Sequence, residues 1–542
     1  MKRSNYDAVV IGAGHNGLVT ATYLARAGYQ VLVLERNEFV GGAAATREVF
    51  PGWRANTGAV DAGLFLPEIV SDLHLENYGL QFIESPVLAY SACADGRGLT
   101  LWRDPVKARD EIAQFSKADA ERYPAFLQQV SRMAAILRSI LTLTPPAIPD
   151  YYRHPRARRW TGELLPWLRV ALQVKRLGDG EMMEFLRILP MPVKDYLDEW
   201  FESPQLNAAL GMPAMAGSMQ GPRASGTAFM FLYQAVNAGQ AGWRASRFVR
   251  GGAGQISQAL AEAAQKYGAE ICTGLGVEKV ILEGERAAAV RLDDGQQIKA
   301  GAIVSSANPR HTFFELVGAS HLPVRFVREV KNIKFRGSTA RINLALSALP
   351  GFSQPAMHSA GPGKNVPLSG HVLICPDLEA LERAYDDAKY GRISERPCLD
   401  LVIPSLLDDS LAPAGQHLMS IDVRYAPYHL REGSWEEQDE VLYERVMGVL
   451  EAHAPGIGEL VLQRQVLTPL DLERRYGLPE GGIYHGQMGL DQLLFMRPIA
   501  GYGQYSTPLE NLFLCGAGTH PGGGLSGAPG YNAARKILKH LK

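Results

Sequence analysis

A chain of 542 residues, 46% apolar and carrying 56 glycines, has the length for about three domains and the composition of a large globular body whose backbones approach one another closely. Its formal net charge of −1 gives no electrostatic reason to expect nucleic acid, and no window approaches the roughly eighteen uninterrupted apolar residues of a membrane span. The opening MKRSNYD runs straight into a strand pattern without a leader-like apolar stretch. The five cysteines (Cys93, Cys272, Cys375, Cys398, Cys515) include no CxxC pair, so the expectation is a cytoplasmic protein without a redox-active disulfide.

The first predicted elements are a strand at Asp7–Ile11, a turn Gly12-Ala13-Gly14-His15-Asn16-Gly17, a helix closing near Gly28, and a second strand at Gln30–Leu34 that delivers Glu35. A GxGxxG turn between strand and helix, with an acid about 20 residues on, is a dinucleotide site. Gly12 permits the turn, Gly14 lets backbone amides reach a pyrophosphate, and Gly17 allows helix to pack on sheet. His15 sits in the phosphate turn. The carboxylate of Glu35 suits a free ribose and disfavours a 2′-phosphate. Next comes Glu35-Arg36, four residues, then Gly41-Gly42-Ala43, an arrangement that resembles the second fingerprint of the glutathione-reductase-type flavoproteins. That resemblance implies FAD as the cofactor, with the added glycines against its diphosphate and ribityl chain. Asn56-Thr57-Gly58-Ala59 reads either as flavin lining or as an ordinary polar turn.

Residues 107–210 are mostly helical in pattern, with apolar spacing over Phe126–Leu143 and a break at Pro145-Pro146. Within them, 153–176 is basic: Arg153, Arg156, Arg158, Arg159, Arg169, Lys175 and Arg176 stand against Glu163 alone. With Leu164-Leu165, Trp167-Leu168 and Ala171-Leu172 this forms either an amphipathic helix on anionic lipid or a solvated basic face. From Arg250 a glycine turn leads to an amphipathic helix closed by Gly268. Strands follow at Ala269–Thr273 and Val277–Glu283, then a hairpin turn at Asp294-Gly295. Residues 311–475 mix strands (Ala340–Ser347, Leu399–Ile403, His417–Val423) with a helix near Trp435–Ala452. The last segment pairs a strand, Leu512–Cys515, with a glycine-rich run and a helix starting near Gly527 or Ala528. No HxxxH or HExxH pair and no zinc-finger cysteine spacing occurs, so no metal site is expected.

Taken together, GAGHNGLVTA, the GG motif, DYLDEWFESPQLNAAL at 195–210, GGIYHGQMGLDQLLFMRP at 481–498 and GAGTHPGGG at 516–524 resemble the phytoene-desaturase-like FAD-dependent oxidoreductases. His15-Asn16 and the terminal G-x-N-A-A-R are closest to the desaturase-like carotenoid ketolases and to the pyridine nucleotide-disulfide oxidoreductase domain-containing flavoproteins. One departure is bulky Tyr531, where the bacterial phytoene desaturases carry a small residue. The resemblance implies an α/β fold with a glutathione-reductase-type, Rossmann-like FAD-binding domain, discontinuous over 1–75, 241–310 and 476–542. A helical, membrane-facing region (76–240) and an α+β substrate domain (311–475) are inserted. It further implies FAD contacts at Val277, whose bland alternative is a plain strand valine, and at Gly516, Gly518, Gly523 and Ala528. His520 is the candidate acid–base residue, with a loop-fixing histidine as the alternative; His485 has the same two readings. The expected reaction is desaturation or oxidation of a hydrophobic substrate, a carotenoid or other polyene among the candidates, by hydride transfer to flavin N5, with oxygen or a quinone as final acceptor. The alternatives are a ketolase or isomerase on the same flavin, and a noncatalytic binding protein of the same fold.

Overall fold

Alternate residues of the strand Asn5–Ile11 enter opposite cores, Ala8 and Val10 on one face, Val9 and Ile11 on the other. A strand covered on both sides must be apolar throughout, which is why the segment reads as a continuous run. The computed structural model describes residues 1, 3–93, 96–146, 160–239, 242–352 and 366–542, with 160–165 as backbone only. In it, Asn5–Ile11 pairs in parallel with Val31–Leu34 and with Gln297–Ser305. Glu270–Cys272 extends the sheet beyond Val31–Leu34, and Leu512–Leu514 joins it against Gln297–Ser305. An antiparallel meander, Val277–Glu283, Arg286–Leu292 and Gln297–Ser305, completes it, turning near Asp294-Gly295 as expected. The helices His15–Arg26, Gly254–Lys266 and Ala528–His540 cover one face; Phe313, Phe326 and Val330 cover the other. Gly268 ends its helix with a positive φ of 96°, and Ala269 N–H reaches back to the Ala264 carbonyl.

A second sheet runs in the order Val461–Leu467, Thr339–Leu346, His417–Arg424, Cys398–Val402, His371–Ile374, Val87–Ala92, Gly98–Trp102. The last two strands come from the stretch expected to be helical. Val87–Ala92 is buried on both faces and pairs in parallel with His371–Ile374, Tyr90 opposite Val372, so no local alternation marks it. A helical layer packs beside this sheet. Its helix Lys117–Leu141 is capped by Ser116 Oγ, which accepts from Asp119 N–H, and it stops before Pro145-Pro146. The buried Asp119 carboxylate accepts N–H groups of Glu202 and Ser203 at 2.9 and 2.8 Å, clasping the next helices. Phe126 sits at the centre, its ring 4.9 Å from Phe201 and 5.6 Å from Trp200, both edge-on. The buried rings of Phe126 and Phe201 are worth about 1.5–3 kcal/mol each, and Trp200 is half-buried beside them.

The helix Trp160–Arg176 exposes Leu168, Arg169, Leu172, Lys175 and Arg176 and buries Val170; Arg153, Arg156, Arg158 and Arg159 lie outside the described residues. No helix among the described residues is long and apolar enough to cross a membrane. All five cysteines are free thiols.

Candidate functional site

The turn after Asn5–Ile11 places Gly12 at φ 93°, a conformation that disfavours any side chain, and the helix starts at His15 without a capping side chain. Its first N–H groups are therefore available to a ligand, and the helix dipole favours an anion there. A Cβ on Gly17 would lie 2.2 Å from the Gly12 carbonyl oxygen, so this glycine lets the helix approach the turn. A Cβ on Gly14 would meet nothing within 4 Å and would project into open space. That space belongs to a cavity of about 510 Å³ lined by Gly12, Gly14, His15 and Asn16.

The same cavity is lined by Glu35 and Arg36 at the end of the second strand, by Gly41, Gly42 and Ala43, by Gly58 and Ala59, and by Val277. Glu35 is buried; one carboxylate oxygen accepts Ala13 N–H at 2.8 Å, the other accepts Asn37 N–H and its side-chain amide. The acid thus holds the phosphate turn in shape and keeps lone pairs for a ribose. Gly41 N–H donates to the Ala13 carbonyl at 2.8 Å, tying the GG segment to the turn, and a Cβ on Gly58 would strike the Ala43 carbonyl oxygen. Of Asn56-Thr57, the Asn56 amide oxygen instead accepts Ala253 N–H, and the Thr57 hydroxyl bonds the Ala45 carbonyl.

In the carboxy-terminal loop the lining residues are Ala517, Gly524 and Leu525. Gly516, Gly518 and Gly523 are set back from the cavity surface: a Cβ on each would meet Ser306, Pro309 and the Tyr484 ring respectively, so they let the loop lie against its neighbours. Ala528 is the buried first residue of the terminal helix. Tyr531 packs edge-on to Tyr23 at 5.3 Å, so the departure from the bacterial desaturases bears on helix packing, away from the cavity lining.

Three histidines lie near this loop. His520 is fully buried outside the cavity lining, its Nε2 3.2 Å from the Ile140 carbonyl, and burial pushes its pKa down to about 4. That placement ties the loop to the end of the helix Lys117–Leu141, the role of a positioning residue. His485 and His15 do line the cavity. Burial lowers His485 to about 3, with Arg497 and His15 adding to it, and lowers His15 to about 4. Both imidazoles are neutral, and His485 Nδ1, His15 Nε2 and Asn16 Oδ1 have no hydrogen-bond partner in the protein. Buried polar atoms of this kind, beside a helix terminus with space for a diphosphate, fit a dinucleotide such as FAD.

The second sheet supplies another wall, which the motifs do not reveal. Arg341, Asp422 and Asp400 stand opposite one another across three neighbouring strands, Arg424 and His371 lie on the same sheet, and Asp61 and Arg244 come from loops. Arg341 holds Asp422 through Nε at 2.9 Å and through Nη2. His371 lies between two carboxylates, Nδ1 2.7 Å from Asp400 and Nε2 3.1 Å from Asp61. Burial and Arg244 disfavour its charge, yet the two carboxylates outweigh them and raise its pKa. Burial likewise opposes ionisation of Asp61 and Asp400, and their cationic neighbours, His371 foremost, hold both below the usual carboxylate range. The sequence signal for this wall is one charge inside an apolar strand, as in TARINLAL and CLDLV, or two at alternate positions, as in HLMSIDVR.

With this geometry, the chain matches the family described as flavin containing amine oxidoreductase over residues 114–538, and an NAD(P)-binding Rossmann-like domain over 10–60. It is 37% identical over 552 residues to pyridine nucleotide-disulfide oxidoreductase domain-containing protein 2 of Rattus norvegicus, covering 100% of this chain and 94% of the relative. It is 26% identical to a phytoene desaturase (lycopene-forming) of Pantoea ananas, with 96% of each chain covered. Among solved structures, an oxidoreductase from Methanosarcina mazei superposes with a TM-score of 0.60 at 16% identity, covering 98% of this chain and 99% of that one, a likeness of fold.

Proposed function

The chain belongs to the flavin containing amine oxidoreductase family and is an FAD-type oxidoreductase; within that family we propose that it dehydrogenates a carbon–hydrogen bond of a largely hydrophobic substrate. The observation that carries this reading is that the dinucleotide cradle and the second-sheet wall line one cavity, with Leu64, Ala216, Ile483 and Leu525 as further, apolar lining. FAD, when bound, supplies the two-electron acceptor for a hydride. The chain's own residues do the rest. Gly12, Gly14, His15, Asn16, Glu35, Gly41–Ala43 and Val277 bind the dinucleotide, Ala13 serves the turn through its bonds to Glu35 and Gly41, and the apolar side chains exclude water and orient the substrate carbon. No dedicated base is needed where loss of hydride leaves a stabilised cation.

The phytoene desaturase relative supports a hydrophobic substrate. The ionised wall supports one that also carries a polar group, over a bare hydrocarbon, because a hydrocarbon would leave charged side chains desolvated without partners. The final electron acceptor in this reading is oxygen or a quinone. Leu168, Leu172, Met183 and Leu186, exposed beside Arg169, Lys175 and Arg176, support delivery of the substrate from an anionic membrane surface. The test is anaerobic bleaching of the flavin-loaded protein by a panel of lipophilic polyenes, alcohols, amines and acids. Bleaching by one class fixes the substrate class; no bleaching by any of them contradicts the reading.

A further inference from the structure

Two arginines of the second-sheet wall have donors that the protein leaves unused. Arg424 is 1% exposed, and its Nε and Nη1 have no partner; its Nη2 lies 3.7 Å from both Asp400 and Asp422, beyond hydrogen-bond range. Arg244 is 8% exposed, with Nη2 directed at His371 and Asp400 and Nη1 unpartnered. Arg341, by contrast, is fully engaged by Asp422 and by the Asn56 carbonyl. All three line the cavity, as do Asp61, Asp400, Asp422 and His371.

Arg424 Nε and Nη1 and Arg244 Nη1 are thus three buried donors without acceptors on a wall that water barely reaches. Buried N–H groups without acceptors are costly, and an anionic group entering the cavity beside them supplies the missing acceptors. The N–H groups of a guanidinium pair as Nε with Nη2 and as Nη1 with Nη2, and because Nη2 of Arg424 is itself beyond hydrogen-bond range of Asp400 and Asp422, either pair matches the two oxygens of a carboxylate.

We propose that Arg424, with Arg244 beside it, binds a carboxylate of the substrate, so that the hydrophobic molecule oxidised in this cavity is an organic acid. The proposal rests on the functional reading above and narrows its substrate class. It makes Arg424 a specificity residue for the acid and leaves flavin binding to the other wall.

The experiment uses the full chain loaded with FAD and follows perturbation of the flavin absorption bands, and the melting temperature, during titration with monocarboxylates from acetate to decanoate and benzoate, with methyl decanoate as uncharged control. At least one carboxylate is expected to perturb the spectrum and raise the melting temperature, while the ester does neither. In Arg424→Met that carboxylate should bind at least tenfold more weakly, with flavin content and resting spectrum unchanged. Arg244→Met serves as the second variant, judged by the same criteria, should Arg424→Met fail to fold. A flavin-loaded protein indifferent to every carboxylate overturns the proposal and leaves the dehydrogenase reading standing. Equal carboxylate affinity in the variants overturns it too. Loss of FAD or an altered resting spectrum in Arg424→Met also overturns it, since the arginine would then serve the cofactor. A wild-type chain that takes up no FAD removes the functional reading and the proposal together.

Discussion

On the wall built by the first sheet, what faces a ligand is bare backbone at Gly12, Gly14 and Gly41, and the helix beginning at His15 adds its unpaired first N–H groups and its dipole. On the wall built by the second, it is polar and charge-bearing side chains: Arg341, His371, Asp400, Asp422 and Arg424. The first wall recognises a shape common to all dinucleotides and can be assembled within some thirty consecutive residues. The second is assembled from strands far apart in the chain and recognises charge. On the proposed function, cofactor and substrate are read by different physics in one cavity, and mutations on the two walls should separate cleanly.

The largest effect expected is on the backbone wall. Gly14 has φ −65° and ψ 161°, which any residue adopts, so Gly14→Val should fold and yet lose FAD, its side chain filling the space of the pyrophosphate. Flavin content per chain should fall to background with the circular dichroism spectrum intact. On the charged wall the signature is reversed. Asp400→Asn leaves His371, Arg244 and Arg424 without their shared carboxylate, which should destabilise the protein by about 3–5 kcal/mol in chemical denaturation while FAD still binds.

The pH dependence of stability separates the two walls again. His15, His485 and His520 have folded pKa values near 4, 3 and 4 against an ordinary 6.5. The unfolded chain therefore binds more protons below pH 6.5, and stability should fall on acidification from there to about pH 4, by about 1.4 kcal/mol per pH unit for each fully engaged histidine. His371 has the opposite sign: its pKa is raised, so its contribution is complete below 6.5 and is lost as the pH rises through its folded value. Denaturation curves at a series of pH values should show His485→Gln with a shallower acid slope and His371→Gln with a flatter alkaline side.

Smaller effects follow. Glu35→Gln keeps the shape of the side chain but removes its charge, and FAD affinity should drop about tenfold, about 1.4 kcal/mol, because the carboxylate also orders Ala13 N–H in the phosphate turn. Smallest on the chemistry is His520→Gln. Its imidazole meets the Ile140 carbonyl outside the cavity lining, so the pH profile of turnover should not move, and a lost ionisation in that profile would restore His520 to an acid–base role.

How legible each wall was in the sequence follows from how each is made. Strand, turn, helix, Glu35 and the GG segment are contiguous, and each uses residues that local physics singles out, so the cradle could be read in order. Val277 could be placed on its strand for the same reason. The glycines of 516–524 were legible as a tight loop, but which of them face the cavity depends on Ser306, Pro309 and Tyr484, contacts no local pattern encodes. Val87–Ala92 escaped because a strand buried on both faces has no alternation and its partner is His371–Ile374. The charged wall was hardest to see. Arg341, Asp400 and Asp422 each look like an isolated polar residue, and only the register of three strands puts them in a row.

The most direct test of a shared cavity with divided labour is the visible absorption spectrum of the purified chain after incubation with FAD, taken side by side with Gly14→Val and Asp400→Asn. Flavin bands in the wild type and in Asp400→Asn, with none in Gly14→Val, are the predicted result. A wild type that remains colourless, or a Gly14→Val variant with full flavin content, would contradict it.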